Sequence, residues 1–164
     1  MERSFVASLA LAFSLLCAVP ARAGIADSPL PVLSAGATTF HLYSVPAYVR
    51  SAGLGTFFAC TSTDTAPMQV GVELFGAAGG APINDAAATS LTVSPGGMVI
   101  FGTSSAVGIS VDSNIGGVSR GSARILSTSK KFACTVFMAD IGNAPPTSMA
   151  QLTIIAKLKQ KAAN

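Results

Sequence analysis

The sequence predicts an all-β domain, an immunoglobulin-like antiparallel β-sandwich of about seven or eight short strands with a cross-sheet disulfide. Apolar residues alternate with polar ones in short runs, and turn signals recur at roughly ten-residue spacing. Two cysteines, Cys60 and Cys134, lie 74 positions apart, each in line with large apolar neighbours. No stretch of the domain sustains a helical period.

Residues 1–23 read as a secretory signal peptide. Arg3 gives the positive start, residues 5–19 are an apolar run rich in Leu and Ala, and Ala21-Arg22-Ala23 before Gly24 is a small-x-small cleavage site. That run is shorter than the ~20 residues needed to span a bilayer, so no stable membrane insertion is expected after cleavage. Leu16 before Cys17 argues against a lipid-modified cysteine. The mature chain then holds 141 of the 164 residues, room for one domain with a sizeable core.

Residues 24–37, with Pro29 and Pro31, read as an extended leader, and the domain as 38–164. Phe40, Leu42 and Tyr43 open the first strand before Pro46. In 56–63, Phe58 and Cys60 share a face by period two. Met68, Val70, Val72 and Leu74 alternate with Gln69 and Glu73, the clearest half-buried strand in the chain. Residues 76–85, with three glycines, a proline and Asn84, form a long loop. Leu91 and Val93 lead through Ser94-Pro95-Gly96-Gly97 into Val99 and Phe101, which reads as a hairpin. Ala123 and Ile125 mark another strand, Ser129-Lys130-Lys131 a turn, and Phe132, Cys134, Val136 and Met138 one face of the next. Leu152, Ile154, Ala156 and Leu158 alternate in a last strand.

An export signal and a remaining pair of cysteines point to an oxidising compartment and a structural disulfide. Active dithiols are usually close in sequence, as in Cys-x-x-Cys, which this pair is not. The fold lacks two hallmarks of antibody domains: there is no tryptophan, and Phe132 stands where a corner tyrosine would be.

Phe58-Ala59-Cys60-Thr61-Ser62, the turn at Val93-Ser94-Pro95-Gly96-Gly97 leading to Phe101-Gly102-Thr103, Gly121-Ser122-Ala123-Arg124-Ile125-Leu126-Ser127 and Pro145-Pro146-Thr147-Ser148-Met149 give a further lead. The chain resembles a group of uncharacterised exported bacterial proteins. The resemblance spans most of the mature chain and rests on turn and core residues. It implies a shared β-sandwich and a bacterial, Gram-negative source, with no assigned activity and no functional residue to carry over.

The chemical inventory is thin. Mature acids number six and bases eight, a net charge of +2 with the bases scattered, which does not point to nucleic acid. The one histidine, His41, is the single candidate base for a hydrolase and reads more simply as a partly exposed strand residue. Ser127-Thr128-Ser129-Lys130 matches Ser-x-x-Lys but falls at a strand end, without the partner motifs of acyl-enzyme catalysts. Asp112-Ser113-Asn114 with Gly116 resembles the start of a calcium loop that lacks its closing glutamate. One histidine and two paired cysteines do not make a zinc site, and no phosphate or dinucleotide loop is present, so no cofactor is expected. Tyr43 and Tyr48 are the only tyrosines available for a sugar-stacking patch, with core or rim packing the simpler reading. Lys157, Lys159 and Lys161 would share one face of the last strand, protecting an edge or offering a docking edge for an anionic partner.

These features predict an exported, non-catalytic binding or structural component of the bacterial envelope, with a protein or glycan of the envelope as its partner. Alternatives are a self-assembling, surface or pilus-like subunit and, weakest, a hydrolase using His41.

Overall fold

A computed structural model describes residues 24–157 and contains no helix there. Its strands are β1 (Phe40–Val49), β2 (Leu54–Ser62), β3 (Met68–Gly76), β4 (Leu91–Val93), β5 (Met98–Gly102), β6 (Ser113–Asn114), β7 (Arg120–Ser127), β8 (Phe132–Asp140), β9 (Met149–Gln151) and β10 (Ile155–Ala156). Two five-stranded sheets result, ordered β10-β1-β7-β3-β4 and β6-β5-β2-β8-β9. All pairings are antiparallel except β5 with β6.

The expected alternation packs the space between the sheets. Val70, Val72 and Leu74 of β3 and Ala123 and Ile125 of β7 meet Phe58, Cys60, Phe101, Phe132 and Val136 from the other sheet. Each large apolar side chain fully buried there contributes about 1.5–3 kcal/mol, so this layer dominates stability.

Three sequence expectations are corrected. The disulfide forms, but within one sheet: Cys60 and Cys134 are direct cross-strand partners on β2 and β8, with Cα atoms 4.1 Å apart. Period two identifies the face a cysteine occupies and says nothing about which strand lies beside it. Second, β4 and β5 are not a hairpin, because they belong to different sheets. The turn between them is real, since Gly97 N donates to Ser94 O at 2.8 Å and Gly96 has φ 70°, a value L-residues rarely adopt. It turns a corner from one sheet to the other. Third, the last apolar run is no single strand: β9 pairs with β8 and β10 with β1, so the chain changes sheets between them. Leu152 and Ile154 pack against the core at that crossing.

Part of each outer face is covered as well. On the β2–β8 sheet, Phe57 is fully buried and stacks on Phe137 with ring centroids 5.3 Å apart. Ile141 approaches over Gly55 and Val111 over Gly102. On the other sheet, Asn84 substitutes for a strand beside β3: its Oδ1 accepts Leu74 N–H at 2.7 Å and its Nδ2 donates to Val72 O at 2.8 Å. Leu33 and Ala86 cap Leu126.

The 24–37 segment, expected as an extended leader ahead of the domain, lies on this outer face. Arg124 of β7 holds it there. Its Nη1 donates to Ser28 O at 3.0 Å and Ile25 O at 3.4 Å, and its Nη2 to Pro29 O at 2.8 Å. Its Nε pairs with Glu73, its register partner on β3, and the guanidinium lies over the Phe75 ring. Both charged residues are almost fully buried. Glu73, placed by alternation on the solvent side of β3, thus faces a second, polar packing layer.

Candidate functional site

The predicted catalytic and binding residues do not converge. His41 is on β1, buried rather than partly exposed, with 8% of its surface accessible. Its Nε2 lies 3.0 Å from Ser44 Oγ, a hydrogen-bonded contact between residues three apart on β1. The pair has the outline of a base and a nucleophile, but His41 Nδ1 has no hydrogen-bond partner to orient the ring. Burial, reinforced by the Lys157 and Arg124 charges, lowers the His41 pKa from 6.5 to about 4, leaving a weak base.

This shift has a testable sign. The unfolded chain takes up the proton as pH falls through 6.5 while the folded chain refuses it until about 4. Stability is therefore full above pH 6.5 and declines across that window, by about 1–2 kcal/mol once solvent screening is allowed for. Urea midpoints at pH 7 and pH 4.5 should differ clearly in the native sequence and much less in His41→Gln. Equal acid sensitivity of the two proteins would refute the assignment.

Ser-x-x-Lys resolves into turn chemistry. Ser127 Oγ is buried against Met68 Sδ at 3.4 Å, and Lys130 Nζ sits over the Phe40 ring, 4.6 Å from its centroid. Ser129 Oγ donates instead to Asp64, which also pairs with Lys131 at 3.4 Å. The Ser129 hydrogen bond, with help from Thr65 N–H, holds the Asp64 carboxyl down at about 2. Asp112 closes a loop: its Oδ2 accepts Ile100 N–H at 2.7 Å, and Asn114 Oδ1 accepts Gly116 N–H at 3.1 Å. Among the described residues no cluster of three or more His, Cys, Asp or Glu could hold a metal.

Neither tyrosine forms an exposed platform. Tyr48 is 1% accessible within the core, its hydroxyl pushed to a higher pKa by burial. Tyr43 packs edge-on against Phe132 and donates to Phe132 O at 3.0 Å. Lys157 is exposed just after β10, its N–H bonded to Leu42 O at 2.7 Å; Lys159 and Lys161 lie outside the described residues.

What the fold does assemble is one end of the sandwich, where β1 finishes and β7 begins. The register between them jumps from Val45↔Ala123 to Tyr48↔Gly121, so Pro46 and Ala47 bulge outward and stay exposed. Pro46 suits that bulge because it has no N–H to leave unpaired. Gly121 permits the closure: a Cβ there would fall 1.8 Å from Phe75 O and 2.9 Å from Tyr48 Cε1. An open cleft of about 610 Å³ follows, lined by Ile25, Pro46, Ala47, Tyr48, Phe75 and Gly121, with Arg120 among its residues. Comparison with family models, curated proteins and solved structures finds no match for this chain.

A second, more polar recess of about 370 Å³ lies beside it, lined by Arg50, Ser51, Ala52, Ser104, Ser119 and Ile141. The two adjoin along the strand ends, since Arg50 N donates to Ser119 O at 3.0 Å and Arg120 follows directly. Sequence reading saw Arg50 and Arg120 as two scattered bases. Only the pairing of strands far apart in sequence brings them to one end. The disulfide itself fits an oxidising, non-cytoplasmic environment, and no helix among the described residues is long and apolar enough to cross a membrane.

Proposed function

We propose that this protein is an exported bacterial β-sandwich of the periplasm or cell surface that works by binding a protein or glycan of the cell envelope and performs no catalysis. One observation carries the reading: the reactive side chains are spent on one another, while the cleft at the β1 bulge is apolar and open. His41 is tied to Ser44, Arg124 to Glu73 and the N-terminal segment, and Asp64 to Ser129. The cleft at the β1 bulge offers shape and apolar contact, with Arg120 beside it.

Short sheet edges weigh against the self-assembling alternative. β4, β6, β9 and β10 have only two or three residues each, so each edge offers few free ladder positions to a neighbouring copy.

The test places a photo-crosslinking residue at Ala47, in the cleft, or at Thr135, an exposed position on β8. Mature 24–164 carrying either is incubated with envelope fractions of the source organism. Foreign protein or glycan adducts from Ala47 and not from Thr135 are expected. Adducts consisting only of further copies of the chain would favour the assembly subunit, and substrate turnover abolished by His41→Ala would establish a hydrolase.

A further inference from the structure

We infer that the recess at Arg50 is a site for a tetrahedral oxyanion, the phosphoryl group of a phosphorylated sugar or of a lipid headgroup. The inference rests on the binding reading above and names the chemistry one part of that sandwich end would recognise.

Arg50 is surface-exposed, yet its guanidinium is fixed. Nε donates to Ser104 Oγ at 3.1 Å, and Nη1 donates to Gly117 O at 2.7 Å. Ser104 is itself buried, so the first contact anchors the side chain to the fold. A free surface arginine loses about 2 kcal/mol of rotamer entropy when it grips a ligand, and here that loss is already met in folding. Two bonds leave Nη2 and the second Nη1 proton open, a planar fork suited to paired oxyanion oxygens.

The charge on that fork has no local answer. Among the described residues the ion pairs join Arg124 to Glu73 and Lys131 to Asp64, and none reaches Arg50. No carboxylate lines the recess. Asp140, next to Ile141, has its oxygens occupied by Ser148 N–H at 2.8 Å and Asn143 Nδ2 at 2.6 Å. Arg120, one residue beyond Ser119, adds positive field from the adjoining cleft. Ser51 and Ser119, residues that carry hydroxyl donors, line the same recess. A phosphoryl group, with acceptors in three dimensions, uses such a set more fully than a flat carboxylate does.

The probes are glucose 1-phosphate, acetate at matched ionic strength, and phosphatidylglycerol vesicles, each added to mature 24–164 and followed by amide NMR shifts or co-sedimentation. Saturable shifts around Arg50, Ser104 and Ser119 with glucose 1-phosphate, and much weaker ones with acetate, are expected. Arg50→Gln should weaken binding roughly tenfold while the protein stays folded with a modestly lowered melting temperature, since the bonds to Ser104 and Gly117 go too, and Arg120→Gln should weaken it by about twofold to threefold. Binding of the sugar phosphate without vesicle capture assigns a soluble phosphorylated ligand; vesicle capture lost in Arg50→Gln assigns a lipid headgroup. Absence of saturable binding, or binding that Arg50→Gln leaves intact, overturns the site. Should that happen while Ala47 still yields foreign adducts, the binding function stands and only the oxyanion assignment falls.

Discussion

Replacing Cys60 by serine is expected to lower the unfolding free energy by about 2–4 kcal/mol. The bridge closes a loop of 74 residues, for which chain entropy alone sets a ceiling of about 4.5 kcal/mol. It also joins strands that are already paired from Leu54↔Asp140 to Ser62↔Phe132, two pairs in from the latter end, so the folded sheet retains its hydrogen bonds without it. The expected variant is therefore folded but weakened, with its urea midpoint shifted down and its m-value little changed. Cys134 becomes a free thiol, half-buried beside the core, and should react with thiol reagents more slowly than in the unfolded chain. Equal thiol counts in the native and reduced parent protein, or an unchanged midpoint in Cys60→Ser, would remove the bridge from the account of stability.

Arg124→Leu should cost about 3–5 kcal/mol, because it leaves the buried Glu73 carboxylate without its partner. The loss has a local signature. Three main-chain carbonyls of the N-terminal segment lose their donor at once, so protease nicking within residues 25–33 should rise well before global unfolding does. The double variant Arg124→Leu/Glu73→Leu separates the two effects: removing both charges should restore much of the global stability, while the segment stays loose. If the double variant is as unstable as the single one, the unpaired charge is not the cause. If the segment remains protected in both, Arg124 is not what holds it.

The inner core was legible because strand alternation is a local property. Val70, Val72 and Leu74 announce their face within seven residues of sequence, and Ser94-Pro95-Gly96-Gly97 announces its turn within four. Which strand lies beside which is a non-local matter. The same turn serves a hairpin or a corner between sheets, and the same cysteine spacing serves a bridge within a sheet or between sheets. The polar layer under the N-terminal segment was hidden for a related reason. Glu73 and Arg124 look like ordinary solvent-facing residues until β3 and β7 pair and residues 25–29 settle over them. A weak signal existed: with six acids and eight bases in residues 24–164, there is too little charge to cover two solvated outer faces. The candidate site was least legible, since Arg50 and Arg120 are 70 positions apart and meet only through the register of β1 and β7.

Six of the nine connections between the described strands pass from one sheet to the other: β1 lies in the first, β2 in the second, β3 and β4 in the first, β5 and β6 in the second, β7 in the first, β8 and β9 in the second and β10 in the first. Neither sheet is contained in any contiguous half of the chain. The earliest residues after position 23 dock on Arg124, and β2, already paired with β5, gains its second neighbour only in β8, so the leading part of the chain is completed by strands from its far end. The β2–β8 ladder and the Cys60–Cys134 bridge can therefore form only once β8 (Phe132–Asp140) has been made. A chain arrested before β8 would leave one edge of β2 open along Leu54–Ser62, an aggregation-prone edge in the middle of its sheet.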